Sequence, residues 1–83
     1  MANFQEPLPP LDETLLPPGV YRHYKGNDYQ VISLARHSET REPMVVYRAL
    51  YGEMGLWVRP MAMFLETVEI AGVRVPRFAR KEG

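Results

Sequence analysis

The chain of 83 residues contains no cysteine. That excludes a disulfide framework, a thiolate zinc centre and a cysteine nucleophile. Long apolar runs are also missing. MVVY at Met44–Tyr47 typifies the short ones present, whereas a membrane helix needs about 18 or more apolar residues. Net charge is absent as well, because ten Lys and Arg balance ten Asp and Glu. Bulk charge therefore marks neither a strongly basic nucleic-acid binder nor an acidic tail. The opening MANFQEPLPPLDETLL has no Lys or Arg and no sustained apolar stretch, unlike a secretory signal, so cytoplasmic residence is expected. The six glycines fall at turns or the terminus and form no phosphate-cradling loop.

What remains is the composition of one small folded domain, 46% hydrophobic and 24% charged. Five of the eight prolines, at positions 7, 9, 10, 17 and 18, lie in residues 1–19, which carry three acids and no base. Proline removes a donor and restricts its predecessor, so residues 1–19 read as an extended arm with one helical turn near Asp12–Leu16. Disorder is expected over residues 1–10, and Leu8, Leu11, Leu15 and Leu16 are the candidates to dock the arm on the body.

The domain is expected over residues 20–78, with a frayed basic tail over 79–83. VYRHY, KGND and YQVISLAR (Val20–Arg36) have the form of a β-hairpin, with Gly26 suited to a turn of positive φ. Strict alternation puts Tyr29, Val31, Ser33 and Ala35 on one face and Gln30, Ile32, Leu34 and Arg36 on the other. Both faces are partly apolar, as in a strand that bends between two layers. HSETREP is a loop, MVVYRALY a central strand, GEMG a turn and LWVR its return strand. Pro60 stops that strand and opens a helical turn at Pro60–Phe64. A last hairpin follows at Glu66–Ile70 and Val73–Pro76. Short antiparallel strands with tight turns imply a mainly all-β fold, an SH3-like antiparallel barrel with one short helical turn. A small α+β domain is the alternative.

Chemistry-bearing residues are few. His37-Ser38-Glu39 cannot form a triad, because neighbours on an extended chain point to opposite sides. Ser38 and Thr40 read instead as residues that bond their own backbone. His23 and His37 could meet across the first hairpin and, with Glu39, line a small-ligand or enzymatic site, which would need an oligomer to enclose it. Two histidines without cysteine make a weak metal set, and no metal or cofactor is expected.

The arginines are more informative. Lys25 is the only lysine before Lys81, and Arg22, Arg36, Arg41, Arg48 and Arg59 stud the body. Arg pairs planar anions bidentately and stacks on rings. From residue 20 onward there are ten bases and seven acids, a net of +3. An ion-pair network with Glu39, Glu42 and Glu53 is the structural reading of these residues. The functional reading is a non-catalytic binding module with an Arg and aromatic surface. Its residues are Tyr24, Arg36, His37, Tyr47, Arg48, Trp57 and Arg59. A protein or peptide partner is favoured, nucleic acid is a further possibility, and no membrane is involved.

The strings PGVYRHYKGNDYQV, LARHSETREPMVVYRALYGE, LWVRPMAMFLETV and VPRF, in this order, resemble the bacterial domain-of-unknown-function family numbered sixteen fifty-three. The resemblance covers about Leu16 to Phe78. It implies a small stand-alone protein and no catalytic residues. It marks His23, Arg36, His37, Ser38, Glu39, Trp57 and Arg59 as candidates for a shared surface or a shared structural network.

Overall fold

A computed structural model describes residues 10–81. Residues 1–9 of the arm, with Leu8, and residues 82–83 of the tail lie outside that range. The described chain forms β1 (Gly19–His23), β2 (Asp28–Arg36), β3 (Pro43–Ala49), β4 (Leu56–Pro60), α1 (Met61–Phe64), β5 (Thr67–Ile70), β6 (Val73–Pro76) and β7 (Phe78–Arg80). All pairings are antiparallel.

The fold is mainly β, but the barrel does not form. Five strands make an open sheet in the order β4-β3-β2-β1-β7, and β5 and β6 make a separate two-stranded ribbon. The last hairpin, β5 and β6, pairs only with itself and joins neither edge of the sheet. The segment expected to fray from residue 79 pairs instead, with Arg80 opposite Tyr21 and Ala79 opposite Arg22. β7 thus occupies the edge of the sheet beside β1. Lys81 fixes the end further, its N–H bonding the Val20 carbonyl at 2.8 Å and its Nζ bonding Asp28 Oδ2 at 2.9 Å.

One irregularity sets the face of every residue in β2. Val31 opposes Tyr47, yet Ser33 opposes Val46 and Leu34 opposes Val45. Ile32 is the extra residue of a β-bulge, which bends a strand and reverses its alternation. The inner face therefore carries Tyr29 and Val31 before the bulge and Leu34 and Arg36 after it. This replaces the unbroken alternation expected from sequence and accounts for apolar residues on both of its faces.

The inner face holds the core. Tyr21, Val31, Val45, Tyr47 and Phe78 lie under Leu16, Met61 and Phe64. Phe64 and Phe78 stack at 4.0 Å between ring centroids, and Tyr21 and Tyr47 meet Phe64 edge-on at 5.8 and 5.6 Å. Such pairs add about 0.5–1.5 kcal/mol each beyond their buried area. In the arm, Leu16 docks while Leu15 is exposed. Residues 12–16 make a turn rather than a helix, closed by Leu15 and Leu16 N–H groups on the Asp12 and Glu13 carbonyls. The Tyr21 hydroxyl ties the arm down by donating to the Pro17 carbonyl at 2.7 Å. Among the described residues, no helix is long and apolar enough to cross a membrane.

Candidate functional site

The β3–β4 hairpin carries two aromatic residues side by side. Tyr47 and Trp57 are directly paired, so they share the inner face of the sheet. Their fates differ. Tyr47 is 5% exposed, whereas Trp57 is 60% exposed, because α1 covers β3 but not this part of the edge strand β4.

Around Trp57 the inner face opens into a shallow recess of about 250 Å³, lined by Tyr29, Tyr47, Tyr51, Trp57 and Arg59. A second recess of about 210 Å³ shares Tyr51 and Trp57 and is floored by Ala49, Gly52, Glu53 and Gly55. Tyr51 and Trp57 are therefore common to both. Register explains the space. Tyr29 faces Ala49 across β2 and β3, and that small residue leaves room for the Tyr29 and Tyr51 rings to meet edge-on at 5.6 Å. Tyr51 enters from the β3–β4 turn, where Gly52 and Met54 both adopt positive φ.

Polar groups are placed along the recess. The Tyr29 and Tyr51 hydroxyls share a hydrogen bond of 2.9 Å. Burial, and then that bond, push the Tyr29 hydroxyl up to about 12, so it stays protonated at neutral pH and does not act as a base. Arg59 Nε donates a long bond of 3.4 Å to the Tyr47 hydroxyl, and its guanidinium sits 5.9 Å from the Phe78 ring centre. The Arg59 guanidinium carries further N–H donors on its two terminal nitrogens.

His23 borders this aromatic cluster, 4.9 Å from Phe78 and 6.5 Å from Tyr29 between ring centres. Its Nδ1 accepts the Lys25 N–H at 3.1 Å, which leaves the proton of the neutral ring on Nε2. Burial, followed by the charges of Arg77, Lys25 and Arg59, holds its pKa below the usual value. His23 is thus a neutral wall residue rather than a cation.

Of the seven residues singled out from sequence, Tyr47, Trp57 and Arg59 converge on the recess. Tyr24 lies at the β1–β2 turn, its ring 4.5 Å from that of His23. Arg48 is on the opposite face and donates to the Met54 carbonyl at 2.8 Å, closing the β3–β4 turn. Arg36 and His37 are at the far end of β2. Arg36 Nη1 donates to the Arg41 carbonyl at 2.9 Å, and His37 Nδ1 accepts the N–H groups of Glu39 and Thr40 at 3.1 and 3.3 Å. The HSET segment is folded around His37 as a local turn.

The alternative set of His23, His37 and Glu39 is not assembled. β2 runs between its ends for nine residues, so His23 and His37 lie on the order of 25 Å apart at the usual rise per residue. Among the described residues no group of three or more His, Cys, Asp or Glu side chains is placed to hold a metal. Arg22 Nε and Lys81 Nζ both bond Asp28, each at 2.9 Å, and Arg77 approaches Glu66 at 3.5 Å. Tyr29 and Tyr51 complete the recess; Tyr51 is one of the aromatics that sequence places near a turn, and Tyr29 was not singled out. The signal for Tyr29 is the register, which requires the β2–β3 pairing to be known.

No curated protein matches the chain. A crystal structure of a DUF1653 protein from Bordetella bronchiseptica is 42% identical and superposes with a TM-score of 0.75, covering 84% of this chain and 92% of that one. The family described as "Protein of unknown function (DUF1653)" matches residues 19–80, from the first residue of β1 to the last of β7. The chain therefore belongs to the DUF1653 family.

Proposed function

We propose that this chain is a non-catalytic binding module that works in the cytoplasm. In this reading the recess takes one apolar side chain of a protein or peptide partner against Trp57, while Arg59 meets a carbonyl or carboxylate beside it. The observation that carries the reading is an indole left 60% exposed next to a half-buried arginine, at the mouth of a recess with three tyrosines. Exposed Trp beside Arg is the composition of binding hot spots. A peptide is favoured over a nucleic acid by charge. Arg59 is the one cation lining the recess, and His23 at its border is held neutral, whereas a phosphate backbone is held by several cations.

The test is a proton–nitrogen correlation spectrum of the labelled chain titrated with two probes. One is a pool of short acidic peptides rich in Leu and Pro, and the other a mixed-sequence single-stranded oligonucleotide. Shifts at the Trp57 indole N–H and the Arg59 Nε–H with the peptide pool support the reading. The same shifts with the oligonucleotide alone replace the peptide with nucleic acid, and no shift with either probe removes the recess as a binding site. For any peptide that binds, Trp57→Ala is expected to weaken affinity by about 2 kcal/mol or more, as for a hot-spot residue, with the dispersed spectrum retained.

A further inference from the structure

The two edges of the sheet are built differently. β7 is three residues long, lies between Arg77 and Lys81, and includes Arg80. Short length and positive charge are the devices by which proteins keep an edge from pairing. β4 has neither. Its sequence is LWVRP, and Leu56, Trp57 and Val58 are exposed at 56, 60 and 61%. Its single charge is Arg59.

The direction of its backbone groups follows from one hydrogen bond. The Ala49 N–H bonds the Gly55 carbonyl at 2.9 Å. Hydrogen-bonded pairs alternate with non-bonded ones along an antiparallel ladder, so Tyr47:Trp57 and Val45:Arg59 are bonded pairs. Leu56, Val58 and Pro60 consequently turn their main-chain groups outward, away from β3. Pro60 has no N–H, which fits a proline placed with its nitrogen to the open side. Leu56 and Val58 each present an outward N–H and C=O with apolar side chains around them.

We propose that this edge pairs with β4 of a second copy, antiparallel across a twofold axis, joining two five-stranded sheets into one. The inference goes beyond the recess reading and does not depend on it, because the pairing is made by the outward main-chain groups of Leu56 and Val58 and not by the recess side chains. Three features favour a second copy as the occupant. The chain has equal numbers of acids and bases, so copies carry no net charge to repel one another. The strand is self-complementary. Centred on Trp57, the pairing sets Leu56 against Val58 of the second copy, and each facing pair exchanges both main-chain bonds. It sets Arg59 against Gly55 of the second copy, so the two arginines do not face each other. A register centred on Val58 would instead set the Leu56 carbonyl against Pro60 of the second copy, which has no N–H to give. Finally, the protected β7 edge leaves the five-stranded sheet of each copy one pairing edge, so pairing through that sheet closes as a dimer and does not extend into a fibre. The paired strand is short, so the dimer is reversible and its population rises with concentration.

Sedimentation velocity of the full chain over a wide concentration range tests this. The expected result is a species of twice 9.6 kDa that grows with concentration. Val58→Pro removes an N–H that points away from β3, and Val58→Lys places a charge on the edge. Each should weaken self-association by about tenfold or more, while Ala79→Lys on β7 leaves it unchanged. Val58→Lys serves where the proline variant does not fold. The register has its own readout, since the chain has no native cysteine. Facing residues of a non-bonded antiparallel pair come within disulfide reach, so under copper–phenanthroline oxidation Trp57→Cys should cross-link two copies and Val58→Cys should not. A chain that is monomeric at every concentration overturns the proposal. A dimer that survives both Val58 variants, or cross-links at Val58→Cys and not at Trp57→Cys, overturns it too.

Discussion

Tyr47 and Trp57 face each other across one pair of strands and point the same way, yet one is core and the other surface. Sequence shows that both are large rings in strands. It does not show where a four-residue helix comes to rest, and that position decides which ring is covered. Stability should follow cover rather than size. Phe64 is 1% exposed and touches the rings of Tyr21, Tyr47 and Phe78. Phe64→Ala should cost about 3–5 kcal/mol in urea unfolding. Trp57→Ala, at a largely solvated site, should stay within about 1 kcal/mol of the parent. Equal losses from the two would mean that Trp57 is a core residue after all. At the same scale, Tyr21→Phe removes the hydroxyl that holds Pro17 and should cost about 1 kcal/mol. Arg48 illustrates the converse difficulty. It sits next to Tyr47 in sequence and so on the other side of the sheet, where it braces a turn.

Elements were the most legible level. Turn residues and β-branched runs locate β1 to β6 and the helical turn, because hairpin chemistry is local and each turn states its own requirement. Two features escaped. The bulge at Ile32 leaves no local mark, since Val31, Ile32 and Leu34 are all apolar and any of them could point inward. β7 escaped because Arg77, Arg80 and Lys81 read as a solvated tail, although their charges are used, with Lys81 bonded to Asp28 and Arg77 near Glu66. The β5–β6 turn supports a prediction of its own. Ala71 and Gly72 have φ of 51° and 80°, a two-residue turn in which both positions demand the left-handed region. Alanine is a poor choice there. Ala71→Asn should slow amide exchange in Thr67–Pro76 by relieving about 0.5–1 kcal/mol of backbone strain. Unchanged exchange would mean that the turn does not limit the ribbon.

At the scale of the whole molecule, closure was the expectation that failed. Strand number and length do not specify which edge a late strand chooses, and here β7 took the place beside β1. The electrostatics of that end also set the response to acid. His23 is held below its ordinary value of 6.5 by burial and neighbouring cations. The unfolded chain then binds the proton more readily than the folded one, so stability present above pH 6.5 is lost as pH falls toward the folded pKa. Asp28 is held below its ordinary 3.8 by the hydrogen bonds from Arg22 and Lys81. Its contribution is present above that value and is lost as pH falls through the lowered one. Urea midpoints measured against pH should therefore drop in two stages. His23→Gln should remove the upper stage alone, and a midpoint flat between pH 7 and 5 would contradict the burial of the His23 ring.

The ribbon of β5 and β6 packs chiefly on itself, and its tip residues Ile70 to Val73 are exposed. Extra residues placed between Ala71 and Gly72 would lengthen a loop already held at both ends by paired strands, and loop length costs little once the ends are fixed. The turn is accordingly a graft point. An epitope or a fluorophore-binding tag inserted there would report on the chain without entering the aromatic recess or the edge of β4.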